Sequence, residues 1–529
     1  MIAIEDKTCW RAFSEAAARW PDLPCLCAPT EGAARVLTFA ETLAEAERIA
    51  AAFRAAGYGL GHRVAVALGT GPEHYLVKLA LNALGVSMVP VNPDYRASEI
   101  EYLFADSGAA LGLTFANRID WLATGATGPV VDYHKLQTSL PTAPTPARPG
   151  EPGPATEASL LYTSGTTGRP KGCVLSHEYE LMCGEAYRNI REPIALREGE
   201  DRVFNPLPAF HVNAGVITFW GAILTGCCLI QPERFSAGDW WRQIQSTEAT
   251  VFHYLGVVIS VLLADREAGA ERLGALRVGL GAGVEPALHR EFEERFGVPL
   301  IECWGMTEMC RVLVVDEEPR MIDTRAMGRP RPDLEVRVVD RDGADVAPGE
   351  PGEMLIRHSA ATPRKGFFSG YLNKPDATAE AWEGGWFHTG DTVTQDETGM
   401  VFFVDRAKNI IRRAGENIAA AEVENVLFED DRVVQVACVA APDEVREEEV
   451  MACIVLAEGV ARSEATARSL FDHCFEKMAY FKPPGWVLFV DELPVTGTQK
   501  VVKHRIFEAG EDPRRRAGAS DFRGLKRRG

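Results

Sequence analysis

Tyr162-Thr-Ser-Gly-Thr-Thr-Gly-Arg-Pro-Lys-Gly172 is the most informative stretch of this 529-residue chain. Its glycines let the backbone turn N–H groups toward an anion, while its hydroxyls and lysine add donors and charge. The loop follows Ser159-Leu-Leu-Tyr-Thr163, a short apolar run that reads as a strand. A strand running into such a loop suits a polyphosphate. A Walker A loop would need Gly-Lys followed by Ser or Thr, whereas Lys171 follows Pro170 and precedes Gly172, so that class is excluded.

Outward from the loop, the chain alternates helical and strand patterns. Residues 40–56 read as an amphipathic helix, 63–68 as a buried strand, 73–84 as a second helix and 86–91 as a second strand. This β-α-β rhythm predicts a parallel sheet flanked by helices. Six prolines within residues 141–154 predict a linker or a surface loop. The rhythm resumes over 200–310, with strands at 203–206, 251–254 and 277–281. After about residue 320, residues 334–340, 352–357 and 399–405 show strand periodicity broken by Gly and Asp turns. Beyond Arg406 the order is helix (420–428), strand (433–440), strand (449–456), helix (463–478) and strand (485–489), enough for a small α+β domain.

Composition bounds the function. Fifty-six Lys and Arg against 75 Asp and Glu leave a formal charge of −19, which disfavours a nucleic-acid platform but permits local basic sites. None of the 12 cysteines forms a CxxC pair, and the N-terminus lacks the pattern of a secretory leader, so reduced thiols in a cytoplasmic protein are expected. Trp10 and Phe13 sit at helical spacing and predict a first helix pinned to the body. Residues 212–230 are nearly free of charge and close to spanning length, yet Asn213, Gly215, Gly221 and Thr225-Gly226 interrupt them. A short buried helix, a glycine turn and a strand at 227–231 explain them better than a membrane span.

Four further motifs follow the phosphate loop: Trp304-Gly-Met-Thr-Glu308, Phe387-His-Thr-Gly-Asp391, Asp405-Arg406, and Leu493-Pro-Val-Thr-Gly-Thr-Gln-Lys500. Together with the loop, in this order and over nearly the whole chain, they resemble the adenylate-forming superfamily of acyl-CoA synthetases, peptide-synthetase adenylation domains and luciferases. The resemblance implies an α/β fold: a large N-terminal domain of layered α/β subdomains plus a β-rich segment (1–405), a hinge (406–409) and a small mobile α+β C-terminal domain (410–529). It implies an ATP-dependent enzyme that turns a carboxylic acid into an acyl-adenylate and then passes the acyl group to a thiol.

The site residues follow from the same resemblance. Thr163, Ser164, Gly165, Thr166, Thr167, Gly168 and Lys171 would hold the β- and γ-phosphates. Glu308 would hold Mg²⁺, a hard cation that favours carboxylate and phosphate oxygens. Thr307 would donate to the α-phosphate, and Lys500 would bridge that phosphate and the attacking carboxylate. Asp391 would accept from the ribose hydroxyls, supported by Arg406. Gly281, Ala282, Gly283, Glu302, Cys303, Trp304 and Gly305 would complete the nucleotide pocket, with Trp304 stacking where the family usually has Tyr. The residue before Lys500 is Gln499, where the family commonly has glycine.

The string Gly415-Glu-Asn-Ile418 resembles coenzyme A ligases more than peptide-synthetase domains. In that reading the small domain swings about Lys408, and Ala414 and Gly415 line a pantetheine tunnel. Pro208-Ala-Phe-His-Val-Asn213 lacks the acidic residue that would fix an α-amino group, and no carrier segment is evident. His211 matches a histidine at the acyl-pocket mouth, with a buried hydrogen-bonded histidine as the alternative. The pocket would include Val212, Phe219, Trp220, Tyr254, Met309 and Arg311. Arg311 either reads a second anionic group on the acid or forms a structural salt bridge. Pro208-Ala-Phe-His211, Trp304-Gly-Met-Thr-Glu308 and Phe403-Val-Asp-Arg406 look closest to carnitine/crotonobetaine-CoA ligases. The expected partners are a small carboxylic acid, ATP and CoA, with no nucleic acid and no membrane span. A homodimer, a ligase with an amine or carrier-protein acceptor, and a non-catalytic nucleotide-binding relative stay open. Residues 500–529 carry ten Lys and Arg against four Asp and Glu, which reads as a solvated basic tail or an attractor of nucleotide phosphates.

Overall fold

The computed structural model describes all residues except 1, 33, 96, 164–169, 267, 270–272, 407–409, 414–415, 444–445, 479, 496–500, 509 and 528–529. The chain forms two compact units, Met1–Glu335 with Arg357–Phe387, and Val336–Ile356 with His388–Gly529. The strands Phe387–Gln395 and Val401–Arg406 thereby fall almost wholly in the second unit.

The first unit is built on two largely parallel sheets. One runs in the order Gly370–Tyr371, Lys171–Ser176, Glu157–Thr163, Ser87–Pro90, Arg63–Ala67, Leu111–Thr114, Val130–Asp132. Lys171–Ser176 pairs antiparallel with both of its neighbours, and the other pairings are parallel. The other sheet runs Leu313–Val314, Leu300–Trp304, Val278–Ala282, Val251–Leu255, Arg202–Phe204, Cys228–Ile230, Pro24–Ala28, Arg35–Thr38. Short Val-, Ala- and Leu-rich runs form these strands because both sheet faces are covered by helices.

Local signals set the helices that flank them. Thr38 and Glu41 form a reciprocal capping box at the start of Phe39–Ala55. The uncharged stretch after residue 212 becomes a π-helical turn at Asn213–Thr218, a helix at Phe219–Thr225 and a strand at Cys228–Ile230. Gly226 ends the helix at φ 69°, a left-handed conformation that glycine adopts without steric penalty. No helix among the described residues is long and apolar enough to cross a membrane. The proline-rich stretch is a surface loop, laid against the end of the second helix by Ala143 N–H to Ala56 O (2.8 Å) and Arg148 N–H to Leu60 O (2.9 Å).

A buried carboxylate ties this unit together. Glu180 accepts from Lys78 Nζ at 2.7 Å, Ser159 Oγ at 2.5 Å and Trp220 Nε1 at 2.7 Å. These donors come from Pro72–Asn82, Glu157–Thr163 and Phe219–Thr225, so three elements converge on the helix His177–Arg188.

In the second unit, Val433–Asp443 pairs antiparallel with Glu447–Leu456, which pairs in parallel with Trp486–Phe489. The helices Ala420–Phe428 and Glu464–Lys477 cover one face, burying Val423, Leu427, Leu470 and Phe471. Met451, Trp486, Leu488 and Ile506 pack on the other face.

Removing one partner of a buried ion pair leaves an uncompensated charge, at about 3–5 kcal/mol. Lys78→Met is therefore expected to destabilise the first unit by about that amount in denaturant unfolding. A loss below about 1 kcal/mol, the scale of an exposed pair, would contradict this role.

Candidate active site

The two strands that bracket the expected phosphate loop pair antiparallel, Thr163 with Lys171 and Tyr162 with Gly172; residues 164–169 lie outside the described residues. Thr163 Oγ1 donates to Lys171 O at 3.4 Å, and Tyr162 is anchored by its hydroxyl to Asp106 Oδ2 at 2.8 Å.

The segment carrying Thr307 and Glu308 is held by three bonds to its backbone. Tyr179 Oη donates to Thr307 O at 2.8 Å, Phe368 N–H to Glu308 O at 2.9 Å, and Cys310 N–H to Gly366 O at 2.8 Å. The chain then continues from 366–368 into Gly370–Tyr371, which pairs with the loop's outgoing strand, Tyr371 opposite Cys173. Residues 366–371 thus stitch the Thr307–Glu308 segment to the phosphate hairpin. Gly366 sits at φ 78°, and a Cβ there would lie 2.7 Å from Cys310 Sγ, so only glycine fits.

Tyr371 completes the link with its side chain. Its hydroxyl donates to Glu308 Oε1 at 2.8 Å, and Lys171 Nζ lies 4.8 Å from its ring centroid. Burial and the Glu308 charge push the Tyr371 phenol well above its ordinary pKa, so it remains a donor. Burial and the same carboxylate also raise the Cys173 thiol. Thr163, Lys171, Tyr371 and Glu308 therefore form one cluster: hydroxyl, cation and buried carboxylate at the mouth of a glycine-rich loop. A carboxylate there, beside donors for phosphate, fits a hard divalent cation that shares phosphate oxygens.

A second cluster surrounds Glu302, opposite Gly281 in the parallel register. Tyr254 Oη donates to Glu302 Oε1 at 2.7 Å and Gly283 N–H to Oε2 at 2.8 Å. These bonds fix the 281–283 turn, where a Cβ on Gly281 would lie 2.3 Å from Tyr254 O. Burial raises the Glu302 carboxyl to about 7, although its hydrogen bonds oppose the shift. Ala282 closes its strand beside Leu255, and burial pushes the neighbouring Cys303 thiol to about 12. Trp304 is 8% exposed at the strand end, and Gly305 is exposed.

The expected acyl wall is only partly open. His211 is held near neutral imidazole by burial, its pKa lowered to about 4, and its Nε2 has no hydrogen-bond partner among the described residues. Val212 is half-buried beside it. Phe219, Trp220, Tyr254 and Met309 are completely buried. Phe219 stacks on Tyr75 with ring centroids 4.7 Å apart, and Trp220 is bound to Glu180. Tyr254 is bound to Glu302, and Met309 bridges to Phe367. All four side chains are packed against protein neighbours. Arg311 Nη1 meets Asp333 Oδ2 at 2.7 Å, so its charge is held by a structural salt bridge.

In the second unit Asp391 is 3% exposed and lies opposite Arg406 in the antiparallel register. Thr389 Oγ1 accepts from Asp391 N–H at 3.1 Å and donates to Met354 O at 2.7 Å, which shapes the turn at Gly390. The Arg406 side chain, Lys408, Ala414, Gly415, Lys500 and, in the loop, Ser164, Gly165, Thr166, Thr167 and Gly168 lie outside the described residues. Tyr371 and Tyr179 escaped the sequence reading. The only sequence signal for Tyr371 was an aromatic following Gly370 at the end of an apolar run.

Residues 13–372 match the family model described as AMP-binding enzyme, and residues 422–500 match AMP-binding enzyme C-terminal domain. The chain is 31% identical over 503 residues to a sulfoacetate–CoA ligase of Cupriavidus necator, covering 93% of this chain and 95% of that one. It is 31% identical over 510 residues to a crotonobetaine/carnitine–CoA ligase of Proteus mirabilis, covering 90% and 94%. A solved o-succinylbenzoate-CoA synthetase of Bacillus subtilis, in complex with its acyl-adenylate intermediate, matches with a TM-score of 0.81 at 25% identity over 96% of this chain and 99% of that one. The same synthetase with ATP and a magnesium ion matches at a TM-score of 0.80 and 25% identity, over 94% and 99%.

A hydrogen bond to a charged group contributes about 1.5–3 kcal/mol, so Tyr371→Phe is expected to lower kcat/KM for MgATP by about tenfold or more. Unchanged MgATP kinetics would remove Tyr371 from the site. Glu302 gives a second test through pH. Its folded pKa of about 7 exceeds the ordinary 4.5, so the folded state binds the extra proton and stability falls as pH rises between those values. Glu302→Gln should gain thermal midpoint relative to the native chain from about pH 5 to about pH 7. A pH-independent difference between the two would contradict the assignment.

Proposed function

Because this chain belongs to the family of AMP-binding enzymes, we propose that the Lys171–Tyr371–Glu308 cluster is the phosphate and cation end of its nucleotide site. The enzyme is an ATP-dependent, AMP-forming acyl-CoA synthetase, an acid–thiol ligase. A carboxylate oxygen attacks the α-phosphorus of ATP, pyrophosphate leaves, and an acyl-adenylate forms. The CoA thiolate then attacks the acyl carbon, the carbon–oxygen bond to AMP breaks, and thioester and AMP are released.

The first step brings an anion onto a polyanion, so charge neutralisation dominates its barrier. Mg²⁺, when bound, neutralises phosphate charge, and Glu308 is the carboxylate that would hold it. Lys171 and the loop residues 164–168 would hold the β- and γ-phosphates, and Thr307 would donate to the α-phosphate. Asp391 would accept from the ribose hydroxyls, with Arg406 facing it across the strand pair. Lys500 would carry positive charge to the reacting oxygens, and a swing of residues 410–529 about Lys408 would bring Ala414 and Gly415 to the CoA passage. The observation that carries the reading is the hydrogen bond from Tyr371 to Glu308, with Lys171 against the same ring.

For the acid we propose a short carboxylate with a second polar or charged group. The relatives support this, being ligases for sulfoacetate and for crotonobetaine or carnitine. The second group would meet neutral His211, because Arg311 is already paired with Asp333. A cytoplasmic location is supported by the twelve free thiols.

AMP release measured with a panel of acids, with and without CoA, tests the proposal. Short polar acids should release AMP in a CoA-dependent manner, whereas an amine-dependent or CoA-independent product would redirect the acceptor. In the same assay Lys500→Ala should lower acid-dependent ATP–pyrophosphate exchange by about a hundredfold or more. Retention of exchange would place the reacting cation elsewhere.

A further inference from the structure

The basic C-terminus is not a solvated tail. Ser520–Asp521 adds an antiparallel edge strand, with Asp521 opposite Trp486 and Ser520 opposite Val487. Phe522 is buried and stacks on Phe471 with ring centroids 5.3 Å apart. Arg523 bonds to Asp443 Oδ2 and Asp521 Oδ2, each at 2.9 Å, and its guanidinium lies 4.6 Å from the Trp486 ring centroid. Beyond it, Lys526 turns inward. Its Nζ donates to Glu449 Oε1 at 2.5 Å, and the side chains of both are fully buried.

The other oxygen of Glu449 faces a different element. Arg413 Nε donates to Glu449 Oε2 at 2.7 Å, and the Arg413 side chain is 4% exposed. Arg413 closes the strand Ile410–Arg413 of a hairpin whose return strand is Glu416–Ala419. Among the described residues, this hairpin joins the sheet at a single register pair, Arg413 opposite Glu447. Gly485 permits the assembly, since a Cβ there would lie 2.4 Å from Glu449 Cγ and 2.9 Å from Arg523 Cγ. One buried carboxylate therefore receives one cation from the C-terminal segment and one from the hairpin. A buried carboxylate with two charged donors has little freedom to re-pair, so its partners share one fixed geometry.

We propose that Lys526 is a positioning residue for the thioester step: through Glu449 it holds Arg413 and so sets the strand pair Ile410–Arg413 and Glu416–Ala419. The proposal rests on the acyl-CoA synthetase reading, in which residues 414–415 line the CoA passage. It gives the C-terminal segment a role in the second half-reaction alone, because the contacts of Lys526, Glu449 and Arg413 among the described residues include none assigned to the adenylation step.

The test separates the two half-reactions in Lys526→Met, Glu449→Gln and Lys526→Arg, all in the full chain. Acid-dependent ATP–pyrophosphate exchange reads the first step; single-turnover conversion of preformed acyl-adenylate by CoA reads the second. Displacement of a binding element by about 1 Å lowers rates by up to about a hundredfold, so Lys526→Met and Glu449→Gln should slow the CoA step or raise the KM for CoA by about tenfold or more. Exchange should stay within about twofold, and Lys526→Arg should recover much of the CoA step by keeping the charge. An unchanged CoA step, or equal losses in both steps for Lys526→Met and Lys526→Arg alike, would overturn the proposal. If the native chain shows no CoA-dependent AMP release with any acid, the ligase reading itself fails, a result distinct from either.

Discussion

A carboxylate that is to hold a cation beside a phosphate loop works only if its distance from that loop is fixed. Residues 366–371 impose this constraint. They pair with the Thr307–Cys310 backbone at one end and with the outgoing strand of the phosphate hairpin at the other. Tyr371 then adds a side-chain bond to Glu308. Tyr371 thus holds Glu308 in a fixed place beside Lys171. Gly366 suits this place because its φ of 78° is left-handed and a Cβ there would lie 2.7 Å from Cys310 Sγ.

Each unit contains a buried carboxylate that collects donors from separate elements. Glu180 gathers Lys78, Ser159 and Trp220 in the first unit, and Glu449 gathers Arg413 and Lys526 in the second. Burying such charges carries a desolvation penalty that apolar packing would avoid, so stability alone does not explain them. What each supplies is a unique mutual placement of segments far apart in sequence. Glu180 ties the strand Glu157–Thr163 to two helices, and Glu449 ties the strand Ile410–Arg413 to the C-terminal segment.

Much of this was legible because local chemistry carried it. The Thr225-Gly226 stop could be read directly, since a helix that ends in a left-handed residue favours glycine. The family could be read from the order of its motifs. The contacts of Phe219 with Tyr75 and of Trp220 with Glu180 were not legible, because those partners are brought by other helices and leave no periodic trace. Tyr371 was missed for the same reason: it is 63 residues from Glu308 and reaches it only through strand pairing. The basic C-terminus looked solvated by composition. The contrary signal was Glu447-Glu-Glu449 opening an otherwise apolar strand, where a buried acid needs a cation from elsewhere.

The central claim is that a carboxylate oxygen attacks the α-phosphorus and that the later bond cleavage occurs at the acyl carbon. Oxygen labelling tests this most directly. With an accepted acid whose carboxylate carries oxygen-18, turnover in the presence of ATP and CoA should leave one labelled oxygen in the AMP phosphate, read by mass spectrometry. Label in inorganic phosphate, or AMP without label alongside thioester formation, would contradict the account.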